Sequence, residues 1–257
     1  SASECNCGIQ LVASGMKNIH FVHGLHNDGF NICDRIAIAS AWMNNPDWSV
    51  FLWCPKEPTG EHWEKLKAKV PVRVMFVDDF KTWNGKVVPK YQHRADLIRH
   101  SVLYAMGGVY ADTDTITLAP FPKEWLEHDA VLGREFCGEG TIGLCNAVMY
   151  SKMHGQFQWK WLQEWQKFDG TGWNETSVQF PWRLHQENPG LCKAVDFEML
   201  GFIHCESGKY WEPNYSLDGC VVAHLWRSYH TPRMNSLTEE IINKKENVYC
   251  EHASKYL

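Results

Sequence analysis

Apolar positions along this chain switch between a period of two and a period near 3.6, and the switches mark out its elements. Asn18–His23 (NIHFVH), Trp48–Cys54 and Val72–Val77 predict short strands. Between them, Cys33–Asn44 reads as a helix and Glu61–Lys69 as a charged one. In Tyr91–Met106, Ala95, Ile98, Val102 and Ala105 recur at helical spacing, which predicts an amphipathic helix with one buried face. Gly107 and Gly108 stand where such a helix stops. Further on, Ala130–Gly133 and Asn146–Tyr150 predict strands, residues 155–168 a Trp-rich helix, and Ser177–Gln186 another helix. In the Trp-rich segment, Trp161, Trp165 and Phe168 keep the spacing of a buried stripe, whereas Trp159 falls off it. Strands alternating with helices imply parallel pairing and an α/β sandwich. No repeat, low-complexity stretch or linker interrupts residues 1–257, so a single domain is expected.

The run Gly107–Thr115, GGVYADTDT, is where this pattern meets chemistry. On a strand, residues i and i+2 point the same way. A strand ending at Asp112-Thr113-Asp114 would present two carboxylates together, a donor pair that suits Mg²⁺ or Mn²⁺. The tripeptide alone is common in solvated turns and helix caps. Upstream, Asp96 and Arg99 are three apart on one helix face. They read either as an ordinary ion pair or as polar groups that orient a sugar.

With those flanks, HRADLIRHSVLYAMGGVYADTDT resembles the signature of glycosyltransferase family 32, the DXD-motif sugar transferases. The large glucosylating bacterial toxins carry a similar arrangement. Ala95, Asp96, Arg99, Leu103, Tyr104, Gly107, Gly108, Tyr110, Asp112 and Asp114 match its pattern. Weaker likenesses lie at 17–24 (KNIHFVHG), 45–53 (NPDWSVFLW), 143–151 (GLCNAVMYS) and 222–229 (VAHLWRSY). His23 stands where the family commonly has Trp, and Tyr229 replaces the last Trp of the C-terminal motif.

The resemblance implies a GT-A fold with a mixed, mainly parallel sheet. Residues of about 17–115 would form the nucleotide-sugar half and 116–257 the acceptor-facing half. It implies retaining transfer of a hexose from a nucleotide sugar, UDP-linked by preference, to a hydroxyl of a glycan, lipid or protein. Mn²⁺ or Mg²⁺ would be held by Asp114 directly, by Asp112 through water or the donor ribose, and by His224 as a third ligand. The family comparison assigns Asp96, Arg99, Asp112 and Asp114 to catalysis. Val22, His23, Tyr110, Asn146, Trp226 and Ser228 join Asp96 and Arg99 in binding the donor. It offers no carboxylate nucleophile; Glu135 and Glu139 lie in the right region but read as surface glutamates.

Composition narrows the alternatives. A net charge of −5 without a polybasic run argues against a nucleic-acid partner. No apolar stretch approaches a membrane span, and no leader opens the chain. The abrupt start at Ser1 leaves room for an upstream anchor or targeting segment. The 10 cysteines permit disulfides in an oxidising lumen, yet no C-x-x-C pair occurs. Cys5-x-Cys7 alone makes no zinc site, and Cys54 and Cys145 read as small buried hydrophobes. Asn174-Glu175-Thr176 and Asn214-Tyr215-Ser216 fit the N-glycosylation acceptor pattern, which leaves a Golgi-lumenal or secreted setting open beside a cytoplasmic one. Two rival classes remain: a sugar-binding module without turnover, and a metal-dependent nucleotidyl- or phosphotransferase. The second should carry a Gly-rich phosphate loop or a basic channel, and neither is present.

Overall fold

The computed structural model describes residues 17–26, 29–169 and 175–257; Cys5, Cys7 and Asn174 lie outside them. The first half alternates as the periodicity requires. β1 (Asn18–Val22), α1 (Ile32–Asn44), β2 (Ser49–Cys54), α2 (Glu61–Lys69) and β3 (Val72–Phe76) lead to a small hairpin, β4 (Thr82–Trp83) and β5 (Lys86–Val87). Then come α3 (Tyr91–Met106), β6 (Gly108–Ala111) and β7 (Thr115–Thr117). The second half contains β8 (Ala130–Cys137), β9 (Gly140–Ser151), α4 (Gln156–Trp165), α5 (Phe180–Glu187), β10 (Lys193–Val195) and β11 (Val222–His224). It closes with α6 (Arg227–Asn235), α7 (Glu239–Asn243) and α8 (Val248–Ala253).

Seven strands form one sheet in the order β10-β8-β9-β6-β1-β2-β3. β1 pairs in parallel with β2 and β6, β2 with β3, and β8 with β10. β9 is antiparallel to both β6 and β8. Side chains divide between the faces with period two. Ile19, Phe21, Val109, Val148 and Tyr150 join a core with α1 and α2, while Tyr110, Leu132 and Met149 join Leu97, Trp161 and Trp165 on the other side. The result is a sheet covered on both faces, which explains why its parallel strands carry so few exposed positions. Trp161, Trp165 and Phe168 are buried and Trp159 is 46% exposed, as their spacing implies.

The glycine pair has a steric cause. Gly107 ends α3 at φ +68°, and a side chain at Gly108 would meet the Asn18 carbonyl oxygen at 2.1 Å. Only glycine lets β6 turn out of the helix and press against β1. Beside it, buried His20 bridges strand and turn: Nε2 donates to the Gly107 carbonyl (3.0 Å) while Nδ1 accepts from Trp53 Nε1 (3.1 Å). Burial lowers its pKa to about 4, so it stays neutral.

Several boundaries differ from the sequence reading. β8 and β9 extend beyond Ala130–Gly133 and Asn146–Tyr150, because each supplies the other's ladder across a hairpin with two register shifts. The helix expected at Ser177–Gln186 begins as a π turn over Glu175–Gln179 and becomes regular only from Phe180. Asp112-Thr113-Asp114 is not a strand end with two parallel side chains but a turn between β6 and β7. Cys54 and Cys145 are buried, as expected. Among the described residues no helix is long and apolar enough to cross a membrane.

Candidate active site

The turn after β6 is pinned by its own backbone. The Asp112 N–H donates to the Ala147 carbonyl on β9 (2.8 Å), and Thr115 Oγ1 donates to the Asp112 carbonyl (2.7 Å). The third component arrives from far away in sequence. β11 pairs antiparallel with β7, with His224 opposite Thr115. This register brings His224 Nε2 to 3.1 Å from Asp114 Oδ2 and 3.9 Å from Asp112 Oδ2. The backbone N–H groups of Leu225 and Arg227 then bond Asp114, through its carbonyl and Oδ2 respectively.

The two carboxylates sit in different fields. Burial opposes ionisation of Asp114, but His224 and Arg227 outweigh it and hold its carboxyl well below the usual range. Asp112 is raised, chiefly by burial and by the neighbouring Asp114 charge against the pull of Arg99. Burial likewise opposes protonation of His224, yet Asp114 lifts it well above an ordinary imidazole. One ligand atom from each of Asp112, Asp114 and His224 lies within 4.8 Å of the others. Two crowded carboxylates and one imidazole fit a hard divalent cation, whose charge would relieve the repulsion between the acids.

On the α3 side, Arg99 is the organiser. Its Nη1 lies 3.1 Å from Asp112 Oδ1 and donates to the Asn146 carbonyl at 2.8 Å, while Nε lies 3.3 Å from Asp96 Oδ1. The guanidinium carbon sits 4.6 Å from the Tyr110 ring centre, and the Tyr110 hydroxyl donates to Asp112 Oδ1 at 2.6 Å. Asp96 is 4% exposed and accepts from Asn146 Nδ2 (2.8 Å); burial raises its pKa to about 6 against Arg99 and Asn146. Of the two readings of Asp96 and Arg99, the ordinary surface ion pair does not hold: they form an interior network.

These groups border a cleft of about 830 Å³. Val22, His23, Arg99, Tyr110, Asp112, Asp114, His224, Trp226 and Ser228 line it, but Asp96 and Asn146 stand behind Arg99. His23 meets Phe30 edge-on (ring centres 5.3 Å apart) and lies 3.7 Å from Asp34. Trp226 takes a left-handed backbone conformation (φ 57°, ψ 59°), held as its Nε1 donates to the Phe202 carbonyl (2.9 Å) and its ring packs 4.2 Å from His224. Non-glycine residues in that region carry strain that only the surroundings sustain.

Residues 34–132 match the glycosyltransferase sugar-binding region containing the DXD motif. Over those residues the chain is similar to the DXD-motif glycosyltransferases. Over 250 residues, 90% of this chain and 68% of the relative, it is 25% identical to glucan organizing enzyme 1 of Cryptococcus neoformans var. grubii. A 91-residue stretch, 31% of this chain, is 31% identical to the initiation-specific α-1,6-mannosyltransferase of Candida albicans and spans 21% of that protein. In three dimensions the chain superposes on the galactosyltransferase LgtC, solved with donor and acceptor sugar analogs. That match has a TM-score of 0.51 at 11% identity and covers 88% of this chain and 99% of LgtC. The fold of this glycosyltransferase is GT-A.

Two residues of the site escaped the sequence reading. Asp34, wholly buried, closes a capping box with Asn31 at the start of α1. It also accepts from Arg227 Nη2 at 2.8 Å. Burial opposes its ionisation, and His23 and Arg227 hold its carboxyl below the ordinary value nonetheless. The Asn31-x-x-Asp34 spacing signals a cap, but nothing in it points to residue 227. Arg227 lies inside the C-terminal likeness, between Trp226 and Ser228, and lines the cleft. Glu135, read as a surface glutamate, is instead 13% exposed and paired with His204; Glu139 is exposed as expected.

Proposed function

We propose that this glycosyltransferase moves a hexose from a nucleotide sugar, UDP-linked by preference, to a hydroxyl of a glycan, lipid or protein acceptor, with a divalent cation and with retention of anomeric configuration. The observation that carries the proposal is the convergence of Asp112, Asp114 and His224 at the base of a cleft also lined by Arg99, Tyr110 and Arg227. Asp114 and His224 would hold the cation, Mn²⁺ or Mg²⁺, and Asp112 would act beside it through water or the donor ribose. When bound, the cation neutralises the pyrophosphate and makes the nucleoside diphosphate a good leaving group.

The protein's own groups do the rest. Arg227, its guanidinium fixed by Asp34, faces the diphosphate as a second cation. Trp226 and Ser228 cover that region and exclude water. Arg99 and Tyr110 meet the donor sugar, with Asp96 and Asn146 acting as positioning residues behind Arg99. His23, packed on Phe30 and Asp34, is a smaller platform than Trp, which favours a pyrimidine. Glu135, half-buried, already faces His204. Retention then proceeds by acceptor attack on the leaving-group face, with the departing phosphate taking the hydroxyl proton. An exposed Asn214 fits a lumenal or secreted setting.

A panel of UDP- and GDP-linked hexoses with Mn²⁺, read as release of free nucleoside diphosphate, tests the reading. Release from a UDP-hexose that stops on chelation is expected. Release that ignores chelation would overturn the metal role, and a clear preference for GDP-hexoses would overturn the donor assignment.

A further inference from the structure

Three side chains converge at the outer end of β8, beyond the groups that handle the donor. Cys137 ends β8 at the tip of its hairpin with β9. His204 and Cys205 open the 3₁₀ helix His204–Trp211. One ligand atom from each of Cys137, His204 and Cys205 lies within 4.8 Å of the others. Both cysteines are exposed free thiols, and the Cys137 thiol beside Cys205 raises the Cys205 pKa. His204 Nδ1 is buried without a hydrogen-bond partner, 3.4 Å from Glu135 Oε1.

We propose that Cys137, Cys205 and His204 form a zinc site separate from the Asp112–Asp114–His224 centre. Zinc takes thiolate and imidazole donors in tetrahedral geometry, at roughly 2.3 Å to sulfur and 2.0 Å to nitrogen. Around such an ion, neighbouring donor atoms stand roughly 3.5–3.8 Å apart, so the observed cluster needs only a small closure. A small shift of Glu135 onto the unpartnered His204 Nδ1 would orient the metal-bound imidazole and leave Nε2 for the ion. Binding replaces two S–H bonds with metal–sulfur bonds and releases two protons, with no change of oxidation state. The donor sets also sort the two sites: sulfur and nitrogen here select zinc, whereas the carboxylates of the cleft select a hard cation.

The site has a structural consequence for the cleft. His204 packs edge-on to Trp226 (5.5 Å) and stacks with Tyr229 (6.2 Å, planes 26° apart). An ion on His204 would tie the β8–β9 hairpin tip to the segment that covers the donor diphosphate. The test uses the full chain, purified with a phosphine reductant, dialysed and analysed for zinc, then titrated with Co²⁺ to reveal thiolate-to-cobalt charge transfer. One retained zinc per chain is expected in the wild type and in Asp114→Asn. Cys137→Ser and Cys205→Ser should each lose the charge-transfer band and weaken binding at least tenfold, and His204→Ala should shift the cobalt ligand-field bands. Circular dichroism checks that each variant is folded; the exposed Cys137→Ser change leaves the core untouched. A wild type without zinc or thiolate–cobalt band, or cysteine variants that bind as the wild type does, would overturn the proposal. So would a Cys137–Cys205 disulfide, found by peptide mapping of protein purified without reductant.

Discussion

Asp112 and Asp114 are two residues apart in the chain yet face different partners, Arg99 and Tyr110 for the first, His224 and Arg227 for the second. A near-isosteric Asp114→Asn change should therefore leave the fold intact and remove Mn²⁺ binding along with donor cleavage; Mn²⁺ titration by electron paramagnetic resonance reads the binding directly. Arg99 offers a sharper test. Arg99→Ala should impair turnover of the sugar donor about ten- to a hundredfold while barely changing affinity for the bare nucleoside diphosphate, since a lost charged hydrogen bond costs roughly 1.5–3 kcal/mol. It also strips the partner from buried Asp96, so unfolding should reveal a loss of stability, of about 3 kcal/mol as for other broken buried pairs. Equal losses for donor and bare diphosphate would place Arg99 at the phosphates instead. The lone tripeptide could not separate these roles, because a sequence states spacing and not which charge each carboxylate faces.

At the scale of elements, the β1–β6 contact and the β7–β11 pair build the site. Gly108→Ala would push a methyl group into the Asn18 carbonyl at a φ of +112°. Relief requires β6 to move away from β1, so the cost should exceed about 2 kcal/mol, a size reserved for backbone strain and core disruption. Chemical denaturation measures it, and the displaced turn should lose donor cleavage even in molecules that remain folded. The α3 helix, its glycine stop and the strand after it were readable from periodicity and from the need for glycine at a helix end. β11 was not: three residues, VAH, carry no period, and their pairing with β7 is a long-range contact. The extra length of β8 and β9 was hidden for the same reason, since Arg134–Cys137 and Gly140–Cys145 lack clean alternation and are strands because each completes the other.

Across the whole molecule, proton and metal compete for His224. Its pKa in the folded, metal-free protein is raised above 6.5, chiefly by Asp114 working against burial. The stabilisation from that pair is therefore complete below about pH 6.5 and fades as pH rises through the folded value. Asp114 has a depressed pKa, so its share is present above about pH 3.8 and fades as pH falls through the folded value. A metal ligand must be the neutral imidazole, so the cation must displace that proton. The rise in Tm produced by saturating Mn²⁺ should consequently grow from about pH 6 to about pH 8. Replacing His224 with Ala should flatten that dependence; calorimetry at a series of pH values checks both.

The sequence alone determined the class of the fold, the α/β alternation of its first half, and the motif Gly107–Asp114 with its helix. These depend on local period, on glycine sterics and on residue type, all of which are written in order along the chain. It also supplied His224 and Trp226 as site residues, but only through likeness to a family. The tertiary structure decided what those residues do together. It turned Asp112-Thr113-Asp114 into a turn, set Asp96 behind Arg99, and brought Asp34 to Arg227 across 193 positions of chain. It gathered Cys137 with His204 and Cys205 in the same way. Each of these depends on strand register or on burial, and neither is a property of any short stretch of sequence. Charges and thiols acquire their chemistry only when folding fixes their neighbours and removes their water.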